Sequence, residues 1–335
     1  MNIAEIAKLA GVSRAAVSRY FNNGYLSREK RETIRRIVEE TGYRPSAQAQ
    51  MLRTRKTKMI GVIVPKMASV SIGRVVDGIL SELSESGYQA LLAVTRNNTQ
   101  KELEYLHAFR DKQVDGIILA ATVLGREHKR LLKELSVPVV LVGQQLAGYC
   151  CVFHDDYRAT YDLTRLMLEK GKRNPGYISA MRQDKAVGEE RRRGFLEAAR
   201  DMGVEAAASN VVTASYDMAS GYEKTGELLE KCGMLDCIIC ATDTMAAGAM
   251  QYLHEHKIKV PDQVIVAGQG DMETAQAMRP RIVTVHYFYE KSGEVAVQLL
   301  FELLGEKEWA PKEVKLGYYL VNDNEESIFG EEKKL

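Results

Sequence analysis

The 335-residue sequence has no run of apolar residues long enough to span a bilayer. It opens on a capped helix rather than on a basic segment followed by an apolar signal core, so we expect a soluble, cytoplasmic protein. A phosphate loop of the Walker type is missing, and Gly268 and Gly270 lack the third glycine of a dinucleotide-binding motif. These absences argue against a membrane protein and against nucleotide-dependent enzymes.

Cysteine is scarce, and the number of cysteines, five, is odd. Cys237 and Cys240 lie in the apolar run LDCIICATD, which is typical of a buried strand. Residues three apart on a strand point to opposite faces, so these two thiols are badly placed to share a metal. We predict that all five, including Cys150, Cys151 and Cys232, are reduced packing residues, and we predict no metal and no cofactor.

Charge is distributed unevenly, although the formal net charge is only +1. Residues 1–58 contain 13 Lys and Arg against 5 Asp and Glu, a net charge of +8. The other 277 residues contain 33 against 40, a net charge of −7. A basic segment binds phosphates through counterion release. The acidic remainder cannot belong to the same nucleic-acid surface, so it must have a separate task.

The first residues are patterned as two short helices with a turn at Gly11, in the segment IAEIAKLAGVSRAAVSRYFN. Asn2 and Ser13 are suitable N-cap residues, and Val17 with Phe21 would pack against the first helix. The residues left facing outward are Arg14, Ala15, Ser18 and Arg19. This pattern is typical of a helix-turn-helix whose second helix lies in the DNA major groove. A generic helical hairpin with a solvated basic face is the alternative.

A third helix is predicted from REKRETIRRIVEET, with Ser27 as its cap and Gly42 at its end. The following residues, SAQAQMLRTRKTK, have no apolar face wide enough for a core helix. Taken alone they are typical of a linker. Their Ala, Gln and basic residues also fit a segment that folds only when it lies against DNA.

Beyond Lys58, short apolar runs alternate with helical stretches such as IGRVVDGILSELSESG and QKELEYLHAFRDKQ. The runs are MIGVIVP, QALLAV, DGIILA, VPVVLVG, NPGYISA, DCIICAT and QVIVAG. Strands alternating with helices indicate a doubly wound α/β architecture. The number of predicted strands is larger than one sheet would readily contain, so we expect two lobes, each with its own sheet.

The chain resembles bacterial transcription regulators of the LacI/GalR type. The resemblance is carried by IAEIAKLAGVSRAAVSR, GYRPSAQAQMLRT and KMIGVIVP, and further matches reach about residue 290. It implies an all-α helix-turn-helix head at 1–45, a hinge helix and linker at 46–58, and a periplasmic-binding-protein-like body for effector binding and dimerisation at 59–335. That body would contain two doubly wound parallel sheets, in a first lobe of about 59–157 and 285–319 and a second of about 158–284 and 320–335.

The same resemblance implies the DNA contacts. The segment Ser46 to Thr54 matches a hinge helix that enters the minor groove, and Leu52 matches a leucine that wedges a base step. Arg19 is predicted to read a base edge. The loop NNGYL departs from the family in being shorter than in some members. The predicted contact residues are Asn2, Ser13, Arg14, Ala15, Ser18, Arg19, Asn22, Ser27, Ser46, Gln48, Leu52 and Arg53.

Ligands of open α/β sheets bind beyond the carboxyl ends of the strands. Polar residues follow the predicted strands at these places, namely Ser69, Ser71, Arg74, Gln144, Gln145, Asp155, Asp156, Arg182, Asp243, Gln269 and Asp271. Such a cleft suits a neutral sugar, whose hydroxyls donate and accept while its C–H faces stack on rings. The alternative is that these side chains only solvate loops.

Position by position, the resemblance assigns ligand contacts to Asp156 and Arg191 and an aromatic platform to Tyr216. One departure is the motif Gly-Gln-Gly-Asp at 268–271, which lacks the carboxylate that usually touches the sugar. Another is Tyr287, which stands where a polar residue is common. The predicted effector residues are Ser69, Ser71, Arg74, Asp156, Arg191, Tyr216, Asp243, Asp271 and Tyr287. The two tyrosines favour a larger, disaccharide-sized neutral sugar over a purine or an amino acid, and the predicted effector is a mono- or disaccharide.

An enzyme is one alternative, since Asp156 and Asp243 resemble the paired carboxylates, roughly 5 to 10 Å apart, of a glycosidase. Hydrolysis leaves the basic segment without a role, and a sugar-transport protein would need the missing signal segment. We therefore predict a nucleoid-associated homodimeric repressor, not an enzyme, that binds a pseudo-palindromic operator and is controlled by a small sugar. A non-sugar or phosphorylated ligand, co-repression and activation are the alternatives.

Overall fold

The computed structural model describes residues 1–43, 56–111, 114–204, 208–305 and 310–322. The chain divides into two compact units, Met1–Thr57 and Lys58–Leu335. Within the described ranges, no helix combines the length and the apolar character needed to cross a membrane. The predicted hinge residues Ser46, Gln48, Leu52 and Arg53 lie outside the described residues.

The N-terminal unit contains the helices α1 (Ile3–Leu9), α2 (Arg14–Phe21) and α3 (Arg28–Thr41). Their shared core is built on Ile6, Val17 and Ile34, all of which are fully buried. Helix α3 ends at Gly42, whose φ of 63° is left-handed and therefore suits glycine. The predicted helical head is confirmed.

The first lobe of the larger unit is built on a six-stranded parallel sheet in the order β11-β5-β4-β3-β1-β2. Numbered along the chain, its strands are β1 (Met59–Val64), β2 (Gln89–Val94), β3 (Gly116–Leu119), β4 (Val139–Val142), β5 (Cys150–His154) and β11 (Glu313–Leu316). One face packs against α4 (Val70–Ser86) and α12 (Tyr289–Gly305), and the other against α5 (Thr99–Arg110) and α6 (Arg126–Glu134). Apolar cores on both faces make this lobe doubly wound.

The second lobe contains a four-stranded parallel sheet in the order β7-β6-β8-β9. Its strands are β6 (Pro175–Ser179), β7 (Val211–Thr213), β8 (Cys237–Cys240) and β9 (Ile265–Ala267). Its helices are α7 (Asp156–Glu169), α8 (Arg191–Asp201), α9 (Met218–Cys232), α10 (Asp243–Glu255) and α11 (Glu273–Ala277), with a π-helix at Lys185–Glu190 and a 3₁₀ turn at Ala208–Asn210. In the core, the rings of Tyr177 and Phe195 stack at 4.9 Å between centroids.

The lobes are joined near an antiparallel pair formed by β10 (Thr284–Tyr287) and β12 (Tyr318–Val321). Both strands pack against the core of the second lobe. The chain therefore crosses to the first lobe after Tyr287, a few residues beyond the expected point near Val285. It returns at Tyr318, close to the expected point near Leu320.

All five cysteines are free thiols. Cys150, Cys151, Cys237 and Cys240 are buried, and Cys232 is half-buried. Burial raises the pKa of Cys151 to about 11, so this thiol is protonated at neutral pH. The buried thiols contribute to packing.

Candidate nucleic-acid surface and ligand cavity

The two helices of the predicted helix-turn-helix begin with side-chain caps. Asn2 accepts hydrogen bonds from the backbone N–H groups of Ala4 and Glu5, and Glu5 accepts one from the backbone N–H of Asn2, which completes a capping box. At α2, the hydroxyl oxygen of Ser13 accepts a hydrogen bond from the backbone N–H of Ala16 at 3.2 Å. These caps fix where each helix begins and therefore which side chains face outward.

The outward face of α2 carries the predicted DNA-reading residues. Arg14, Ala15 and Arg19 are exposed and Ser18 is half-buried, whereas Val17 is buried. The loop after α2 is tied to α3, because the backbone oxygen of Gly24 accepts a hydrogen bond from Arg31 at 2.9 Å. The arginines therefore project from a helix that is held at both ends.

The other predicted DNA contacts in the described part differ in how free their side chains are. The amide of Asn2 is engaged in its capping box. Asn22 donates back to the backbone oxygen of Ser18. Ser27 stands at the N-cap of α3, but its hydroxyl makes no capping hydrogen bond. Of these three side chains, the Ser27 hydroxyl is therefore the least committed within the head.

In the larger unit, a cavity of about 310 Å³ lies between the two lobes. The predicted effector residues that line it are Ser69, Ser71, Asp156, Arg191, Tyr216 and Asp243. Further polar wall residues are Lys66, Asn97, Thr122, Gln144, His154, Asp184, Asp217, Thr242, Thr244, Gln269 and Ser292. The apolar part of the wall includes Val70, Ile72, Val75, Val142, Val187, Met218, Met272 and Tyr289. The carboxyl ends of strands from both sheets thus meet at one site.

Asp156 and Arg191 form a buried ion pair in the wall. Nε and Nη2 of Arg191 lie 2.7 and 2.6 Å from Oδ1 of Asp156, and Nη1 donates to the backbone oxygen of Ala241 at 2.6 Å. The guanidinium also lies 4.6 Å from the ring centroid of Tyr287. Burial acts to raise the pKa of Asp156, and the Arg191 charge opposes that shift. No described donor bonds to Oδ2 of Asp156, which leaves an acceptor for a ligand.

Gln269 lies in the motif Gly-Gln-Gly-Asp at 268–271, which departs from the family by lacking one carboxylate. Its Oε1 accepts hydrogen bonds from Thr160 at 2.9 Å and from the hydroxyl of Tyr287 at 2.8 Å. Tyr287 is only 1% exposed and does not line the cavity. Tyr287, predicted as an effector contact, therefore lies outside the described wall, where its ring contacts the Arg191 guanidinium and its hydroxyl donates to Gln269.

Asp243 lines the cavity with both carboxylate oxygens already in use. Thr284 donates to Oδ1 at 2.6 Å, and the backbone N–H of Met272 donates to Oδ2 at 2.8 Å. Burial raises the pKa of Asp243 to about 6, although both hydrogen bonds act to lower it. Asp243 therefore fixes the strand-end loop at 268–272 as well as lining the wall.

Arg74 and Asp271 lie outside the cavity wall and connect the lobes instead. Two guanidinium nitrogens of Arg74 each lie 3.3 Å from the backbone oxygen of Asp271. The Asp271 carboxylate accepts hydrogen bonds from Gln276 at 3.0 Å and pairs with His286 at 2.8 Å. These two predicted effector residues therefore contact each other between the lobes in this structure.

Asp184 was not predicted from the sequence, and its carboxylate connects the two lobes across the cavity. Its Oδ1 accepts hydrogen bonds from Gln144 of the first lobe at 2.9 Å and from the backbone N–H of Val187 at 3.1 Å. Its Oδ2 accepts one from the hydroxyl of Tyr216 at 2.7 Å. The available signal was its place after strand β6. Arg182, chosen there from the sequence, instead pairs with Glu189 in an exposed bridge.

The described residues contain no group of three or more His, Cys, Asp or Glu side chains that could hold a metal ion. The wall instead combines carboxylates, amides and hydroxyls with apolar surface. Such a site can bind a hydroxyl-rich molecule through hydrogen bonds and apolar contact.

Comparison with known proteins agrees with both halves of this description. The family described as "Bacterial regulatory proteins, lacI family" matches residues 2–46, and the family described as "Periplasmic binding protein-like domain" matches residues 164–322. The sucrose operon repressor of Staphylococcus xylosus is 33% identical over 303 residues, which cover 90% of this chain and 93% of that protein.

Two solved structures show the same architecture. A complex of the transcriptional regulator CelR with cellobiose has a TM-score of 0.75 at 26% identity, covering 96% of this chain and 98% of that one. A lac repressor dimer bound to operator and the anti-inducer ONPF has a TM-score of 0.87 with the same coverage. Its sequence is 20% identical, so this likeness shows a shared fold only. The chain belongs to the LacI family of bacterial DNA-binding transcription regulators.

Proposed function

We propose that this protein is a repressor whose affinity for its operator is controlled by a neutral sugar bound between the lobes. The charge of the cavity carries the proposal. Asp156, Asp184, Asp217 and Asp243 line it, against two cationic side chains, Lys66 and Arg191. A surplus of carboxylates repels phosphorylated and carboxylated ligands.

The rest of the wall suits a sugar. Its hydroxyls can pair with the free Oδ2 of Asp156 and with the serine and threonine hydroxyls of the wall. Its C–H faces can contact Tyr289, Met218 and Val142. The volume of about 310 Å³ lies at the lower end of the ~300 to 1,000 Å³ of small-molecule sites, which suits a mono- or disaccharide. Relatives named for sucrose and cellobiose support this choice.

On the DNA side, we assign residues 1–45 to the operator-binding head and 46–58 to the hinge segment and linker. The exposed arginines on α2 support base reading in the major groove, and the +8 charge of residues 1–58 supports phosphate binding. A homodimer would place two heads on a pseudo-palindromic site. We expect such a regulator to act in the cytoplasm, at the nucleoid.

The test combines two titrations of the full-length protein with sucrose, cellobiose and glucose. Thermal shift and calorimetry identify which sugar binds, and a fluorescent operator fragment reports DNA affinity with and without that sugar. We expect one sugar to bind without turnover and to weaken operator binding. Stronger operator binding in its presence would indicate co-repression instead. Binding of a phosphorylated sugar in preference to every neutral one would refute the proposal.

A further inference from the structure

His154 lines the cavity but takes no part in the Asp156–Arg191 pair or in the Gln144–Asp184 bridge. It ends strand β5 of the first lobe, and its ring lines the cavity although the residue is only 9% exposed. The rings of Tyr287 and Tyr289 pack against it edge to face, at centroid distances of 5.1 and 5.2 Å. Neighbours on two sides fix the ring plane, so its polar atoms have little freedom to seek other partners.

The two ring nitrogens of His154 are in different situations. One donates a hydrogen bond to the backbone carbonyl of Phe288, and this bond acts to raise the pKa of the ring. Nε2 has no hydrogen-bond partner among the described residues, so the bonded nitrogen is Nδ1. A buried polar atom without a partner is unfavourable, because its hydration is lost and nothing replaces it.

The charge state of His154 decides what Nε2 can bind. Burial lowers the pKa of His154 to about 4, and the charges of Arg191 and His286 act in the same direction. The ring is therefore neutral at physiological pH. In a neutral ring whose Nδ1 carries the hydrogen, Nε2 is an acceptor only.

We propose that Nε2 of His154 accepts a hydrogen bond from one free hydroxyl of the bound sugar. This inference rests on the proposed function and specifies it further. A hydroxyl can donate to Nε2, whereas a glycosidic, methylated or phosphorylated oxygen at the same position presents only lone pairs. His154 therefore selects sugars in which that hydroxyl is unsubstituted, and it does so from the first lobe.

The first experiment needs no ligand. Nitrogen-15 NMR of the full-length protein with labelled histidine resolves the six histidines, and the His154 signals are those lost in His154→Gln. We expect a neutral ring with hydrogen on Nδ1 and not on Nε2, unchanged from pH 7 to pH 5. A protonated Nε2 in this range would overturn the inference and leave the proposed function intact.

The second experiment uses calorimetry with sucrose and cellobiose on the parent, His154→Leu and His154→Gln. The sugar that binds should bind the Leu variant at least about tenfold more weakly, or ~1.4 kcal/mol. The Gln variant, whose side-chain oxygen can accept the same bond, should keep most of the affinity. Circular dichroism and thermal melting check that each variant is folded.

Singly deoxygenated sugars then identify the hydroxyl. Removing the donor hydroxyl should weaken binding to the parent protein and leave binding to His154→Leu unchanged. Equal affinity of the Leu variant and the parent for the intact sugar would overturn the inference. If neither disaccharide binds the parent, the proposed function fails in its disaccharide form, whereas the NMR result still judges His154 by itself.

Discussion

Replacing Arg191 with methionine separates the structural role of the buried ion pair from its role in binding. Arg191 is 3% exposed, and it contacts Asp156 and the backbone oxygen of Ala241. The Met variant leaves the Asp156 carboxylate buried without its cation. Breaking such a pair from one side costs about 3–5 kcal/mol. Because typical domains have only about 5–15 kcal/mol of stability, the variant should stay folded with a small margin.

The double variant Arg191→Met with Asp156→Leu is the matched control, because it removes the charge left behind. Apolar replacement of both partners of a buried pair is often neutral or stabilising, so most of the lost stability should return. Effector affinity should not return, since the guanidinium and the free Oδ2 of Asp156 are both gone. Urea denaturation and calorimetry with the sugar identified by screening measure the two quantities. Recovery of affinity along with stability would refute a binding role for the pair.

Three further predictions follow from the head, a buried carboxylate and the bridge between the lobes. Arg19→Ala should cost about 1–3 kcal/mol of operator affinity and relax specificity at one position per half-site; in competition binding, equal weakening of all operator variants would contradict base reading by Arg19. Burial raises the pKa of Asp243 from 3.8 to about 6, so folding stability should fall as the pH rises from about 4 to 6 and then level off. Asp243→Asn should abolish up to about 3 kcal/mol of that change in urea titrations. Gln144→Leu should speed amide hydrogen exchange in the loop that carries Asp184. Gln145 bonds Glu313 within the first lobe, so Gln145→Leu should leave exchange in that loop unchanged. Equal exchange rates in the two variants would contradict a bridge between the lobes.

The sequence indicated seven of the ten described strands of the two parallel sheets and missed the central strand β5 and the edge strands β7 and β11. All seven predicted apolar runs contain a strand, as expected of parallel sheets with helices packed on both faces. Strand β11 (Glu313–Leu316) alternates exposed and half-buried residues at a sheet edge, and β7 has three residues. Neither produces an apolar run. Their pairing depends on distant partners that no local pattern encodes.

The rule that ligands bind beyond the carboxyl ends of parallel strands predicted part of the cavity wall. That rule located Ser69, Asp156 and Asp243 on the wall. It could not tell which side chains the protein satisfies internally, as it does for Asp243 and for the hydroxyl of Tyr287. The bridge from Gln144 to Asp184 joins residues 40 positions apart in different lobes, so only the folded chain reveals it.

The position of each wall residue decides which part of the response it can control. A sugar changes operator affinity only if it binds two arrangements of the body unequally. The Asp156–Arg191 pair is assembled on second-lobe helices, so contacts to it alone would be the same however the lobes are arranged. Contacts from the first lobe, such as Ser69 and His154, must therefore carry the difference. A tenfold change in operator affinity needs a difference of about 1.4 kcal/mol in these contacts, and by reciprocity operator DNA must change sugar affinity by the same factor.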